Sequence, residues 1–274
     1  MSLRIGSMVT PLVASRQMNQ TQREIESSMR SLASGTRFNR AGDDPATFAI
    51  SELLRGQIGG LRAAQKNADN ASSFLQVAEG GLQEQNNILI RLRELAIQSA
   101  SDTVSEVERA FVESEFSKLV EEFDRIARAT TFGRTPLLSG QGKDYEFHVG
   151  AHGKPEDTIR YRLEADTTAG TVGIDGLSVI DQSDARDALE TLDEALTTVG
   201  AVRAEFGAIQ GRLRAASDNL GVQNEMVTEA RARMADTDVA FEVSNLARNQ
   251  ILQQAQVSVL AQANQVPAVA LKLL

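Results

Sequence analysis

Residues 61–82 read Leu61-Arg-Ala-Ala-Gln-Lys-Asn-Ala-Asp-Asn-Ala-Ser-Ser-Phe-Leu-Gln-Val-Ala-Glu-Gly-Gly-Leu82, and the spacing of their apolar side chains decides the fold. Leu61, Ala68, Leu75 and Leu82 recur every seven residues, with Ala64, Ala71 and Ala78 three positions behind. Leu54 extends the series towards the amino terminus, and Leu89 and Ala96, with Leu92, extend it the other way. A seven-residue repeat is the seam of a helix packed lengthwise against another helix. Asp43-Asp44-Pro45 sets acidic side chains and a proline where a helix should start, since both suit its unpaired N–H groups. A helix over residues 44–99 would be roughly 80 Å long at 1.5 Å per residue. So long a helix needs an equally long neighbour, because helical stability in proteins comes mainly from burial of one face.

The neighbour is found far along the chain. Ala185, Leu192, Val199, Phe206, Leu213, Leu220, Val227 and Met234 again repeat every seven residues, flanked by Val202, Ile209, Ala216 and Ala230. Gly200, Gly207, Gly211 and Gly221 interrupt this stretch. Each costs about 1 kcal/mol relative to alanine in a helix, so they are expected to mark close helix approach or gentle bending. Ser105-Glu-Val-Glu108 reads as a capping box, followed by Val112, Phe116, Leu119, Phe123 and Ile126 at helical spacing. Residues 130–180 change character: glycines punctuate short runs such as Tyr145–Val149 and Thr158–Leu163, which read as strands and turns. The fold class expected is mainly α, with long antiparallel helices in a coiled-coil-like hairpin, both termini paired, and a small β-hairpin region in the middle.

Composition narrows the function. The 274 residues carry a net charge of −9, 42% hydrophobic and 4% aromatic residues, no Trp and no Cys. An acidic chain without runs of Lys and Arg is a poor nucleic-acid binder. Without Cys there is neither a disulfide framework nor thiolate chemistry. No run of eighteen apolar residues exists, so no membrane insertion is expected. The amino terminus lacks the apolar core and cleavage site of a Sec signal peptide, so secretion would need another machine.

From Asn249 to Leu271 no residue is charged, yet Gln250, Gln253, Gln254, Gln256, Gln262 and Gln265 make the stretch too polar for lipid. Burying such amides unpaired costs about 1 to 3 kcal/mol each, so this helix needs neighbours that hydrogen-bond as well as pack. Residues 1–33, with Ile5, Met8, Leu12, Ile25, Met29 and Leu32, offer one neighbour, and other copies of the chain would supply the rest.

Ser31-Leu-Ala-Ser-Gly-Thr-Arg-Phe-Asn39 followed by Gly42-Asp-Asp-Pro-Ala-Thr-Phe-Ala-Ile-Ser51 resembles the amino-terminal pattern of bacterial flagellins. Arg93-Glu-Leu-Ala-Ile-Gln-Ser99, Asn249-Gln-Ile-Leu-Gln-Gln-Ala255 and Leu260-Ala-Gln-Ala-Asn-Gln-Val-Pro267 resemble further flagellin stretches in the same order. The resemblance spans residues 1–135 and 185–274. Gly6-Ser7, Pro11 and Pro45-Ala-Thr-Phe48 depart from the family pattern, and Pro11 could delay or kink the first helix.

The resemblance implies a structural subunit that self-assembles into the bacterial flagellar filament for motility, exported unfolded by the flagellar type III system. Residues 1–33 and 240–274 would form a paired-helix polymerisation domain, 34–42 a spoke linker, and 43–239 an outer helical domain with its β region at about 130–180. Filament contacts would come from Ile5, Met8, Leu12, Ile251, Leu252, Val257, Leu260, Gln262, Asn264 and Gln265. Arg37, Asn39, Asp43 and Asp44 would form the spoke and helix start. Arg91, Leu95 and Glu115 match the stretch of flagellins that packs between protofilaments and is read by the Toll-like innate receptor. The implied partners are the homopolymer, the export apparatus and export chaperone, the filament cap, and the hook-filament junction proteins. The terminal helices are expected to be disordered before assembly, since a free monomer cannot bury them.

Alternatives are a hook-filament junction protein of the same superfamily, an enzyme displayed on the filament, and a coiled-coil module forming a closed oligomer. No catalytic constellation, metal site or cofactor site is read. His148 and His152 are four apart, but in a strand they would stand about 13 Å from each other. Asp43-Asp44 and Glu121-Glu122 read as a helix start and a solvated face. Thr167, Thr168 and Thr171 are candidates for O-linked sugars.

Overall fold

In a computed structural model of the chain, the backbone is described for residues 9–272 and side chains for residues 12–262. Ile5 and Met8 lie outside the described residues, as do the side chains of Asn264 and Gln265. In chain order the elements are α1 (Val9–Ser34), α2 (Pro45–Ser99), α3 (Glu106–Ala129), β1 (Thr131–Phe132), β2 (Thr135–Pro136), β3 (Lys143–His148), a 3-10 turn (Pro155–Asp157), β4 (Thr158–Leu163), α4 (Ala169–Val172), α5 (Gln182–Ala235) and α6 (Val239–Lys272). The chain forms two compact units, residues 58–225 and residues 1–57 with 226–274, so that both long helices, α2 and α5, run through both.

In the first unit, residues 58–225, the seven-residue series forms the core. Leu61, Ala68, Leu75, Leu82, Leu89 and Ala96 of α2 are buried, as are Ala185, Leu192, Val199, Phe206, Leu213 and Leu220 of α5. Polar rungs flank the seam. Arg93 Nε lies 2.7 Å from Asp193 Oδ1, and Arg203 Nη2 donates to Gln83 Oε1 at 2.6 Å. Gln210 Nε2 donates to Glu79 Oε2 at 2.8 Å, and Ser217 Oγ to Asp69 Oδ1 at 3.2 Å. Residue numbers rise on one helix as they fall on the other, so the pair is antiparallel. Where the series runs on into the other unit, burial thins: Leu54 and Val227 are half-buried and Met234 is exposed.

The capping box forms as the sequence predicts. Ser105 accepts from the Glu108 amide, and Glu108 Oε2 accepts from the Ser105 N–H at 2.8 Å. Helix α3 then buries Val112, Phe116, Phe123 and Ala127. Its association with α2 centres on Gln85, a fully buried side chain. Gln85 Nε2 donates to the carbonyls of Phe123 and Thr167 at 3.3 and 3.0 Å, and its Oε1 accepts from the Thr167 hydroxyl at 2.8 Å. Every polar atom of this amide has a partner, which is the condition for burying it. One turn earlier, a Cβ on Gly81 would stand 2.5 Å from Thr130 Oγ1 and 2.9 Å from Leu138 Cδ1, so α2 carries its close-approach glycine here.

Strands β3 and β4 pair antiparallel with Tyr145 opposite Tyr161. Ile159, Tyr161 and Leu163 are buried on the inner face. Tyr161 meets Phe206 edge-on at 5.9 Å, and Tyr145 lies 5.0 Å from Phe74. Burial pushes the Tyr161 hydroxyl well above its ordinary value. The outer face carries Glu146–Arg160 and Asp144–Arg162 ion pairs, exposed and therefore worth little to stability.

Of the two roles expected for the α5 glycines, close approach is not what the structure shows within the chain. Gly200, Gly207 and Gly211 would each place a Cβ in open space, and only Gly221 has a neighbour, Gln65 Nε2 at 3.9 Å. Gly200, Gly207 and Gly211 lie on the outer surface of the helix, away from the seven-residue seam, so close approach within the chain does not explain them. Thr167 is likewise fully buried, which removes it from the threonines open to modification, whereas Thr171 is exposed.

The contrast along one turn of α2 is testable. Leu89→Ala is expected to lower the unfolding free energy by about 2–5 kcal/mol, measured by urea denaturation. Ile90→Ala, at a side chain 45% exposed, is expected to change it by less than about 0.5 kcal/mol. Equal effects would refute the seam.

Candidate assembly surface

The second unit is built from the two ends of the chain. Helix α1 buries Thr21, Ile25, Ser28 and Ser31, a face at spacings of four and three that is mostly small and polar. Helix α6 lies against it with its amides: Gln253 Nε2 donates to Gln22 Oε1 at 2.7 Å, and Gln256 Nε2 to Thr21 Oγ1 at 2.9 Å. Thr21 Oγ1 in turn donates to the Gln17 carbonyl at 3.1 Å. Helix α1 is thus the neighbour expected for the terminal stretch, but of Ile25, Met29 and Leu32 only Ile25 is buried. Met29 is 57% exposed and Leu32 half-buried, because the face turned to α6 passes through Thr21, Ser28 and Ser31 instead.

A pair held by hydroxyls and amides leaves its apolar side chains uncovered. Leu12 is 61% exposed, Ile251 67%, Leu252 44% and Val257 53%. Leu260 is half-buried and Gln262 exposed. An unpaired helix face of this kind, free of charge, is chemically suited to burial against another protein.

Two connections join the helices, and backbone bonds tie them together. Gly35, at φ +71°, ends α1 with its N–H on the Ser31 carbonyl at 2.9 Å, a left-handed cap that needs glycine. The Arg37 N–H donates to the Ala235 carbonyl at 2.7 Å, and the Thr237 N–H to the Gly35 carbonyl at 2.9 Å. The loop after α1 is therefore fixed to the α5–α6 junction. Phe38 is buried, edge-on to Phe48 at 6.4 Å, with the Arg37 guanidinium 5.8 Å above its ring. Asn39 Oδ1 accepts from the Thr36 hydroxyl at 2.9 Å. Asp43 Oδ2 accepts from the N–H groups of Asn39 and Arg40. Asp44 opens α2, accepting the Thr47 hydroxyl at 2.6 Å and the Thr47 N–H at 3.1 Å. Those bonds, the hydroxyl first, hold the Asp44 carboxyl below its ordinary value.

Arg91 and Glu115 come together as one exposed pair in residues 58–225. Glu115 Oε1 accepts from Arg91 Nη2 at 2.8 Å and from Nε at 3.0 Å, and Glu94 takes Nη1 at 3.1 Å. These carboxylates raise the guanidinium's value further, Glu115 most. Leu95 does not join them. It is 1% exposed, and so unavailable as a surface contact in this fold. Along this stretch of α2 the buried arc is wide, taking in Gln85, Leu95 and Ser99 beside the seam residues Leu89, Leu92 and Ala96.

His148 ends β3, and His152 follows in the bend before the 3-10 turn. Among the described residues no group of three or more His, Cys, Asp or Glu side chains gathers for a metal ion, and no helix is long and apolar enough to cross a membrane.

Comparison with known proteins supplies the context. Residues 5–143 match the family model of the bacterial flagellin N-terminal helical region, and residues 189–274 that of the C-terminal helical region. The chain is 38% identical over 272 residues to the flagellar filament 30.7 kDa core protein of Treponema maltophilum, covering 95% of each. The crystal structure of Bacillus cereus flagellin aligns at a TM-score of 0.51 with 28% identity, covering 57% of this chain and 88% of that one. A protein described as flagellar hook-associated, from Vibrio parahaemolyticus, aligns at a TM-score of 0.59, covering 71% of this chain and all of its own, but at 14% identity it bears on the fold alone.

The start of α2 responds to acid in a stated direction. The folded-state value of Asp44 lies below the ordinary 3.8, so its contribution is fully present above that pH and is lost as pH falls through the folded value. Hydrogen exchange of the Thr47 amide, followed from pH 6 down to about pH 2, is expected to show protection falling in the wild type. In Asp44→Asn the pH-dependent step should be missing. A step of equal size in both would remove Asp44 from this role.

Proposed function

This chain belongs to the flagellin family, and we propose that it polymerises through the paired helices α1 and α6, with its copies covering the apolar faces that the pair leaves open. It is a structural subunit of the bacterial flagellar filament. The observation that carries the assembly reading is the uncharged stretch Asn249–Leu271, whose Ile251, Leu252 and Val257 stand in solvent in the single chain. Leaving such a surface wet costs roughly 25 cal/mol per Å² of apolar area relative to burying it.

In this reading residues 1–33 and 240–274 are the polymerisation domain, and Ile5, Met8, Leu12, Leu260, Gln262, Asn264 and Gln265 extend the interface. Residues 34–42 are the spoke, supported by its bonds to Ala235 and Thr237, and residues 43–239 are the outer domain. The filament lies outside the cell, reached by type III export of the unfolded chain. The lack of any cysteine favours that route, since no disulfide has to form afterwards. An export chaperone, the filament cap and the hook-filament junction proteins are its partners along the way. Arg91 and Glu115 serve a contact between protofilaments, and the same exposed pair is what a Toll-like receptor would read, with Leu95 acting only from within the core. A hook-filament junction protein is the alternative reading, and the match of both end models and of a filament core protein over 95% of the chain favours the filament.

Electron microscopy tests this directly. Full-length protein, heat-dissociated and cooled, is expected to form long filaments, whereas a core lacking residues 1–40 and 240–274 is expected to remain helical by circular dichroism and form none. Small closed oligomers of the full-length chain, even with filament seeds added, would favour a junction protein.

A further inference from the structure

The chain contains one Asp-Gly step, Asp175-Gly176, and no Asn-Gly step. Both residues are exposed in the connection between α4 and α5, flanked by Ile174, fully buried, and Leu177, half-buried. Asp175 borders an open cleft with Arg125 and Arg128, but those cations are paired to Glu122 and Asp124. Its carboxylate is left without a hydrogen bond or ion pair among the described residues, and the Gly176 N–H likewise donates to no group there. Residues 174–177 form a turn closed by the Leu177 N–H on the Ile174 carbonyl at 3.4 Å, longer than an ordinary N–H···O bond. Gly176, at φ +76°, takes the third position of a type II turn. The peptide joining Asp175 to Gly176 is the central one of that turn, and glycine's tolerance of either sign of φ lets it turn over as a unit. A Cβ placed on Gly176 would meet nothing within 4 Å, so the surroundings of its nitrogen are open.

Comparable aspartates are restrained. Asp184 and Asp187 precede alanines, but those amides are held in α5, the Ala185 N–H on the Asp181 carbonyl at 2.9 Å. Asp166 accepts from the Thr168 hydroxyl and N–H, and the amide that follows it, that of Thr167, is bonded to the Leu138 carbonyl at 2.9 Å. Asp44 is tied to Thr47 and is followed by Pro45, which has no N–H to lose. A free carboxyl beside a free and unhindered backbone amide is the arrangement that can cyclise.

We propose that Asp175-Gly176 is a site of spontaneous modification, where the main chain closes to a succinimide and reopens as an isoaspartyl link. Once the carboxyl has taken up a proton, the Gly176 nitrogen attacks Asp175 Cγ. The N–Cγ bond forms, the Cγ–OH bond breaks, and the hydroxyl leaves with the amide proton as water. Water then returns to one of the two ring carbonyls. Breaking the N–Cγ bond restores aspartate, whereas breaking the bond from that nitrogen to the main-chain carbonyl carbon leaves the chain running through Cβ and Cγ. No oxidant or cofactor enters, and the composition is unchanged. The product adds one carbon to a segment pinned at both ends: the Ile174 N–H is on the Ala169 carbonyl at 3.0 Å, and the Val179 N–H on Glu113 Oε2 at 2.6 Å. The segment before α5 therefore loosens, while the seam between α2 and α5 stays. The inference concerns bonds within one chain and is independent of the filament reading.

Full-length protein is kept folded at physiological temperature for several weeks and digested, and its peptides are separated and fragmented by electron transfer, which distinguishes aspartyl from isoaspartyl links. The isomer is expected at Asp175 roughly tenfold faster, or more, than at any other aspartate, preceded by a species lighter by one water. Asp175→Glu, which would have to close a larger ring, is expected to show neither, with an unchanged circular dichroism spectrum. In the isomerised fraction the Val179 amide is expected to lose protection from hydrogen exchange while the Leu89 amide keeps it. Isomer at Asp175 in the urea-unfolded chain but not in the folded one would show that the turn holds the peptide fixed, and would overturn the site. Faster isomerisation at another aspartate would do the same. Isomer at Asp175 with Val179 protection unchanged would overturn the loosening before α5.

Discussion

A helix of 55 residues cannot bury its own apolar stripe, and that single constraint organises the molecule. Helix α2 is amphipathic along its length, so something of comparable length must lie along it. The only comparable element among the described residues is α5, 54 residues long and more than eighty positions further along the chain. Antiparallel packing of two such distant segments forces everything between them, α3, the hairpins and α4, into one excursion. It also forces everything outside them, α1 and α6, to meet.

The polar interior follows from how that excursion returns. Backbone from the α4 approach crosses close to α2, and Gln85 meets the Thr167 carbonyl that this crossing brings in. Arg109 does the same at the end of α2, donating to the Ser99 and Ser101 carbonyls that the helix leaves unpaired. Gln182 caps Ala100, and Glu113 accepts from the Val179 N–H. Each bond stitches a chain reversal to a helix, so the core is apolar along its seam and polar at its turns. The terminal pair inverts this arrangement: Thr21, Ser28 and Ser31 are inside, while Leu12, Ile251 and Val257 are outside. One sequence thus contains a unit that keeps its apolar side chains inside and a unit that leaves many of them open.

Much of this was legible in the residues. The seven-residue series gave both long helices and their partnership, because periodicity records burial directly. Ser105 and Glu108 marked a helix start to the residue, since a capping box is chemistry between near neighbours. What stayed hidden depended on a third element. Leu95 reads as a surface leucine yet is 1% exposed, and Thr167 reads as an exposed threonine until Gln85 is found beneath. Gly81 resembles the glycines of α5 in sequence, yet a Cβ on Gly81 would meet a side chain at less than 3 Å and a Cβ on any of Gly200, Gly207, Gly211 and Gly221 would not. Three-body packing leaves no periodic trace, so no spacing rule finds it. The terminal pair was partly legible: a long uncharged amide-rich run announces a neighbour, but that Gln253 and Gln256 meet Gln22 and Thr21 is seen only once α1 is in place.

The two backbone bonds between residues 35–37 and 235–237 have a topological meaning. They clamp the chain's entry and exit, so that everything from Phe38 to Met234 hangs from one closed ring. Lengthening a closed ring is cheap: the entropic cost rises with the logarithm of its length, about 0.6 kcal/mol for each doubling. Residues added at the exposed bend around His152 and Gly153 would enlarge the ring without touching the clamp. The architecture therefore separates a fixed base from a periphery whose size is nearly free to drift, and natural descendants or grafted cargo could differ greatly in bulk while keeping the same ends.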